Sequence, residues 1–199
     1  HHGFYPFHLE QRNYSENLLK TMNMMTEVDI LLIKQIELKY LTKIKKLFYL
    51  LAVDCNKAPN ISHLANEIET SRATVMNYIK YLADSRLINI IYPIGESFPK
   101  KPSKVMLHNS NLMYAIYPIQ TNLQSAMETF FVNCLWKDHK VNQSNKDKYY
   151  CIDQTLKFKV CDSSTSNRIR KSNDIIYANY NTEISSDKHI PLWLFGLMY

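Results

Sequence analysis

The chain has 199 residues, 46% of them apolar and 21% charged, and its formal net charge is +6. Its three glycines, Gly3, Gly95 and Gly196, are too far apart to form a P-loop or a G-x-G-x-x-G turn, so neither kind of phosphate cradle can be built. The apolar and aromatic content excludes a disordered chain, and no apolar run reaches the roughly 20 residues that a membrane-spanning helix needs.

Helical patterns follow an aromatic segment at residues 1–12, which suits a packed linker. Between Asn13 and Glu37 the apolar residues recur about every 3.6 positions, which predicts two short helices with Ser15 available as an N-cap. The next stripe predicts an amphipathic helix that buries Leu41, Ile44, Leu47, Phe48 and Leu51. We expect the lysines that lie off this stripe on its solvated face: Lys43, Lys45 and Lys46.

Residues 60–84 carry the spacing of a helix-turn-helix. Ser62 is placed to cap a short first helix, a turn follows at Glu69-Thr70, and Ser71 is placed to cap the second helix. The side chains expected in the core are Leu64, Ala65 and Ile68 of the first helix and Val75, Ile79 and Leu82 of the second.

A β-rich run at residues 87–92 follows the second helix directly. The turn-rich segment 95–102 and another apolar run at 105–107 come next. Strand, loop and returning strand after a recognition helix define a wing, so the sequence predicts a winged helix-turn-helix.

Winged helices commonly bind DNA, because the second helix enters the major groove while the wing contacts phosphates. The net charge and a sequence pI near 9.0 fit that partner. The side chains predicted to contact double-stranded DNA are Arg72, Thr74, Asn77 and Lys80 on the helix and Lys100, Lys101 and Lys104 on the wing. The alternative is a protein-interaction or oligomerisation module without DNA affinity.

Several segments together resemble the C-terminal part of bacterial AAA-family ATPases. They are EVDILLIKQIELKYLTKIKKLFYLLA, SRATVMNYIKYLADSRLI, FPKKPSKVMLHNSNLMYAI, METFF and KHIPLWLFGLMY, and they span nearly the whole chain. That family has a motor domain, then a winged helix, then a restriction-endonuclease-like domain of unknown function. The resemblance implies that residues 1–38 correspond to the tail of a motor whose P-loop part is missing from this sequence.

The resemblance also implies a nuclease-like domain beyond about residue 120, where the family places acidic residues that hold Mg²⁺. Glu128 matches the first of these acids. The same alignment puts Tyr149 and Lys159 at the other acidic positions, and Asp162 near the position of a lysine. Magnesium needs carboxylate oxygens, so we expect no catalytic residue, no bound metal, and Glu128 as a residual family position.

Two alternatives bear on that alignment. Asp147 or Asp153 could restore an acidic site if the register shifted, although Asp153-Gln154 is typical of a turn between strands 149–152 and 156–160. Glu128 could instead be a helix-surface carboxylate near Lys137 or near a strand lysine.

The last segments are a polar loop and an apolar end. Residues 162–167 form the loop, and Arg168, Arg170 and Lys171 after it either grip phosphate or are solvated. Residues 192–199 are apolar, which indicates a strand or docking segment that completes a core, with an exposed partner-binding patch as the alternative.

The sequence therefore predicts a mixed α/β protein in three parts. These are an N-terminal helical segment at 1–38, a winged-helix domain at 39–117 and a small, degenerate nuclease-like α/β domain at 118–199. Four cysteines without a C-x-x-C pair favour free buried thiols in a reducing cytosol. We expect a cytoplasmic, non-catalytic module without cofactors or a membrane partner, which binds DNA and joins an ATPase domain in cis or self-associates.

Overall fold

A computed structural model describes residues 13–34, 37–119, 121–144, 147–162 and 174–198. Over these residues the fold is mixed α/β, as predicted. The helices are α1 (Tyr14–Lys34), α2 (Leu38–Val53), α3 (Ile61–Glu67), α4 (Arg72–Asp84), α5 (Ser110–Ile116), α6 (Leu123–Leu135) and a 3₁₀ helix (Leu192–Met198). The strands are β1 (Ile88–Pro93), β2 (Lys104–Leu107), β3 (Val141–Gln143), β4 (Tyr150–Ile152), β5 (Leu156–Asp162), β6 (Ile175–Tyr180) and β7 (His189–Pro191).

The chain divides into two compact units by its internal contacts. The first comprises residues 1–90 and 105–121, and the second comprises residues 91–104 and 122–199. The strands are hydrogen-bonded in the order β2-β1-β3-β4-β5-β6-β7. The pairs β1–β3, β5–β6 and β6–β7 are parallel, whereas β3–β4 and β4–β5 are antiparallel, so the sheet is mixed. The three-part division at residues 38 and 117 stays a prediction.

The first helix differs from its prediction. α1 is one helix of 21 residues, so the expectation of two short helices is wrong. Neither Gly nor Pro interrupts it, and Thr26 stays helical because its hydroxyl donates to the Met22 carbonyl at 2.8 Å. The predicted cap, Ser15, lies inside the first turn, and the residue before the helix is Asn13, with a φ of 62°.

The two helices predicted between residues 60 and 84 form as α3 and α4, with one change of cap. Asn60, not Ser62, precedes α3, and its side chain accepts a hydrogen bond from the His63 amide at 3.2 Å. Ser71 caps α4 as predicted, by accepting from the Thr74 amide at 3.1 Å. The six side chains predicted for the core of these two helices are all buried.

The stripe of α2 is also buried, apart from the half-buried Leu41. Of its lysines, Lys46 is exposed as predicted, whereas Lys43 and Lys45 are half-buried, and all three make polar contacts. Lys43 and Lys46 donate to the backbone carbonyls of Glu69 and Glu67 at 2.7 and 2.5 Å, at the C-terminal end of α3. Ammonium groups there stabilise the negative end of the helix dipole. Lys45 pairs with Glu27 of α1.

The core of the second unit is aromatic. Phe131 of α6 contacts the rings of Tyr150, Phe158 and Phe195, with centroid distances of 5.7, 5.5 and 4.9 Å. Phe195 belongs to the 3₁₀ helix, so residues 192–198 complete a core as expected, but they do so as a helix and not as a strand. Asp153-Gln154 forms the predicted turn, with φ of 50° and 62° at the two residues.

All four cysteines lie in the described residues, and none of them forms a disulfide bond. Cys134, Cys151 and Cys161 are buried and Cys55 is half-buried. Burial raises the pKa of the Cys134 thiol to about 12. The three buried thiols therefore act as core side chains. The predictions for residues 1–12 and for Arg168, Arg170 and Lys171 lie outside the described residues.

Candidate functional site

α4 presents a polar surface opposite its buried side. The buried side chains are Val75, Tyr78, Ile79 and Leu82. Arg72, Asn77 and Lys80 are exposed. The helical repeat puts Asn77 and Lys80 opposite the buried side chains, whereas Arg72, the first residue of the helix, lies beside them. Three of the four predicted contact residues on α4 are thus exposed, and two of them, Asn77 and Lys80, share one surface.

Thr74 is the exception on this helix. It is half-buried, and its hydroxyl lies 2.8 Å from the Ser71 hydroxyl. Its backbone amide donates to the same Ser71 oxygen. The Thr74 side chain is thus part of the N-cap and not of the exposed surface of α4.

The β1–β2 loop, residues 94–103, holds the other predicted contacts. Lys100 and Lys101 are exposed there. Short-range backbone bonds shape the loop, because the Glu96 amide donates to Pro93 at 3.0 Å and the Lys100 amide donates to Ser97 at 2.9 Å. Both lysines have the exposure that phosphate contacts require.

Lys104 differs from Lys100 and Lys101, because its side chain contacts other residues of the protein. Its ammonium donates to Glu128 Oε2 at 2.5 Å and to the Tyr150 hydroxyl at 3.2 Å, and its side chain is only 16% exposed. These contacts do not favour the predicted contact of Lys104 with DNA. The enclosed ammonium would have to break its ion pair with Glu128 before it could bind a phosphate.

Lys104 belongs to a group that we name the Glu128 cluster: Lys104, Gln124, Glu128 and Tyr150. Tyr150 donates to Glu128 Oε2 at 2.6 Å, while Gln124 donates to Glu128 Oε1 at 3.0 Å and to the Val160 carbonyl at 2.9 Å. The Glu128 side chain is 16% exposed. Glu128 is therefore an enclosed carboxylate whose two oxygens already accept three hydrogen bonds, paired with a strand lysine as one of the alternatives anticipated.

Tyr149 and Lys159 do not join this cluster. Tyr150 and Phe158 are register partners and both contact Phe131, so they face α6. Side chains alternate along a strand, which puts Lys159 on the opposite face of the sheet, beside its register partner Tyr177. The Tyr149 ring lies 5.7 Å from the Lys157 ammonium. The three positions aligned with nuclease acids therefore do not converge.

The other acids considered have their own contacts. Asp153 accepts from the Lys140 amide at 2.8 Å, and its Oδ2 lies 2.6 Å from His139 Nδ1. The hydrogen bond with His139 lowers the pKa of Asp153. Asp147 lies in an exposed turn, and Asp162 ends β5. Within the described ranges, no group of three or more His, Cys, Asp or Glu residues could hold a metal ion.

Sequence reasoning missed Gln124 and Tyr150, which complete the cluster. Gln124 could have been found, because a helical setting of Glu128, one of the alternatives above, puts the residue four positions earlier on the same face. Tyr150 required the strand register, which the sequence does not show.

Comparison with known proteins gives one match. Residues 1–122 match a family described as a domain of unknown function, DUF8612, which covers more than half of the chain and reaches one residue past the end of the first unit. Neither a curated protein nor a solved structure matches the chain. Among the helices of the described residues, none combines the length and the apolar character needed to cross a membrane.

Proposed function

The chain belongs to the DUF8612 family, and we propose that it is a non-catalytic module that binds double-stranded DNA. One observation carries the proposal: α4, the second helix of a helix-turn-helix pattern, exposes Arg72, Asn77 and Lys80. Arginine and lysine suit phosphates, and asparagine can pair with an adenine edge through two hydrogen bonds.

The elements around α4 support a winged helix. α3, the turn at Glu69 and α4 are followed by β1, the β1–β2 loop and β2. In winged helices such a loop contacts the DNA backbone, which Lys100 and Lys101 could do. Substitutions at Lys100 and Lys101 test the loop, and a substitution at Asn77 tests α4.

The second unit is proposed to be a degenerate nuclease-like scaffold. Its helix α6 carries Glu128, but the positions aligned with the other acids are Tyr149 and Lys159. The likeness of residues 1–38 to a motor tail supports a further proposal, that an ATPase domain acts with this module. A P-loop in the reading frame upstream of residue 1 would support that proposal, and a stop codon directly upstream would contradict it.

Fluorescence anisotropy with a labelled duplex in about 50 mM salt tests DNA binding. Arg72, Lys80, Lys100 and Lys101 together would neutralise about four phosphates, so log K should fall against log salt with a slope of roughly −3.6. Replacing Lys100 and Lys101 by Ala should flatten the slope by about two on every sequence. Asn77→Ala should weaken only a preferred site, by roughly 1–3 kcal/mol.

The matched control is the double substitution Lys137→Ala and Lys140→Ala. These two lysines are exposed residues of the same unit as Lys100 and Lys101, and their loss changes the net charge equally. Equal effects of the two double variants would mean that net charge alone attracts DNA. Absence of binding in the unaltered protein would contradict the proposed function.

In that event a protein-interaction or self-association module becomes the better account. One observation favours it: the 3₁₀ helix leaves Trp193 57% and Leu197 78% exposed. Apolar side chains of this size at a surface are common in protein interfaces. Sedimentation of the unaltered protein and of the variant Trp193→Ser would then show whether a concentration-dependent dimer is lost.

A further inference from the structure

The β1–β2 loop is held at its C-terminal end by the Glu128 cluster. Lys104 is the first residue after the loop, and its ammonium is enclosed by Glu128 and Tyr150. Tyr150 is 2% exposed, and its ring also packs on Phe131 of α6. The end of the loop is therefore tied to the aromatic core of the second unit.

The N-terminal end of the loop is held by β3. Asn142 donates through Nδ2 to the carbonyls of Tyr92 and Pro93, both at 3.3 Å. In the parallel pair β1–β3, Tyr92 is the register partner of Asn142 and Pro93 is that of Gln143. The amide of Ser103 donates to the Ile91 carbonyl at 2.8 Å, which closes the base of the loop. Both ends are thus fixed by side chains of the second unit.

The segment between these ends is exposed. Residues 94–101 all lie at the surface, and Pro102 is the one buried residue of the loop. A loop of this kind keeps one conformation only if its ends are held, because exposed residues gain chain entropy when released. The position of Lys100 and Lys101 therefore depends on the anchors at the base.

We propose that Glu128 is a positioning residue for DNA binding: through Lys104 it fixes the loop that presents Lys100 and Lys101. The inference rests on the proposed function for its role, but the anchoring itself can be measured without DNA. In this proposal the Lys104–Glu128 ion pair holds the loop in place and does not take part in catalysis.

The sign of the effect separates positioning from simple electrostatics. Glu128→Gln removes a negative charge, which by charge alone should strengthen binding to DNA. The substitution would also release Lys104 from its ion pair. If Lys104 contacts phosphate directly, DNA binding should therefore become tighter. If Glu128 positions the loop, binding should instead weaken by about three- to tenfold, because the loop must be ordered again when DNA binds.

The experiment compares Glu128→Gln with Glu183→Gln, an exposed residue of the same unit with the same change of charge. Hydrogen exchange of the amides at 97–101 is measured without DNA, and anisotropy with a labelled duplex follows. We expect exchange about five- to tenfold faster in Glu128→Gln alone. Lys104→Met should speed amide exchange to the same extent. The double variant should exchange no faster than either single variant, because the two residues act through each other.

Tyr150→Phe provides a milder variant if Glu128→Gln does not fold, since it removes a single donor to Glu128. Loop exchange equal in Glu128→Gln and Glu183→Gln overturns the proposal, and so does tighter DNA binding by Glu128→Gln. If the unaltered protein binds no DNA, the proposed function fails. The exchange comparison then still decides whether Glu128 anchors the loop.

Discussion

At the scale of single residues, His108 is a half-buried histidine that its surroundings hold in the neutral form. Asn89 donates through Nδ2 to the His108 carbonyl at 3.3 Å, which turns the Asn89 oxygen toward the imidazole, 3.1 Å from Nδ1. The proton of a neutral ring therefore lies on Nδ1. Burial, assisted by the Arg86 guanidinium, lowers the pKa of His108 from 6.5 to about 4.

This shift predicts a stability that falls in mild acid. The neutral form is favoured in the folded state, so the contribution of His108 is complete above pH 6.5 and is lost as the pH falls toward 4. The full shift corresponds to roughly 3 kcal/mol of unfolding free energy. Urea unfolding at several pH values should show this loss in the unaltered protein and a smaller one in His108→Gln. The same pH dependence in both proteins would contradict the assignment.

At the scale of elements, the sequence predicted the structure correctly wherever the pattern is local. The apolar periodicity of α2 and α4, the Ser71 cap and the Asp153-Gln154 turn each depend on neighbours a few residues away. The prediction of the α3 cap was wrong because two residues could serve as the cap. Asn60 and Ser62 both precede the apolar positions of α3. The 3₁₀ helix was not predicted because a short apolar run fits a strand or a helix equally well.

The caps allow a direct comparison of two neighbouring residues. Asn60→Ala should lower the free energy of unfolding by about 1 kcal/mol, because the His63 amide loses its acceptor. Ser62→Ala should change it by less than about 0.5 kcal/mol, because Ser62 is an exposed residue inside α3. Chemical denaturation measures both. A larger loss for Ser62→Ala than for Asn60→Ala would mean that α3 begins two residues later than the structure shows.

At the scale of the whole molecule, the candidate site depends on contacts between distant parts of the sequence. The Glu128 cluster joins residues 104, 124, 128 and 150, so the exposure of Lys104 could not be predicted from its place after a basic loop. The exposed side of α4, by contrast, follows from the helical repeat alone. The net charge of +6 predicts attraction to DNA in general but selects no surface.

The same cluster decides what the second unit can do with a metal. A divalent cation at Glu128 would have to displace the Lys104 ammonium and the Tyr150 hydroxyl. Among the described residues, no group of three or more His, Cys, Asp or Glu side chains could hold the ion there. We therefore expect no nicking of supercoiled plasmid in Mg²⁺ or Mn²⁺, as followed on agarose gels. Lys104→Met should stay inactive too, since it frees one carboxylate and supplies no other. Nicking that persists in Glu128→Ala would point to a contaminant, whereas nicking that disappears in Glu128→Ala would show that Glu128 holds a metal after all.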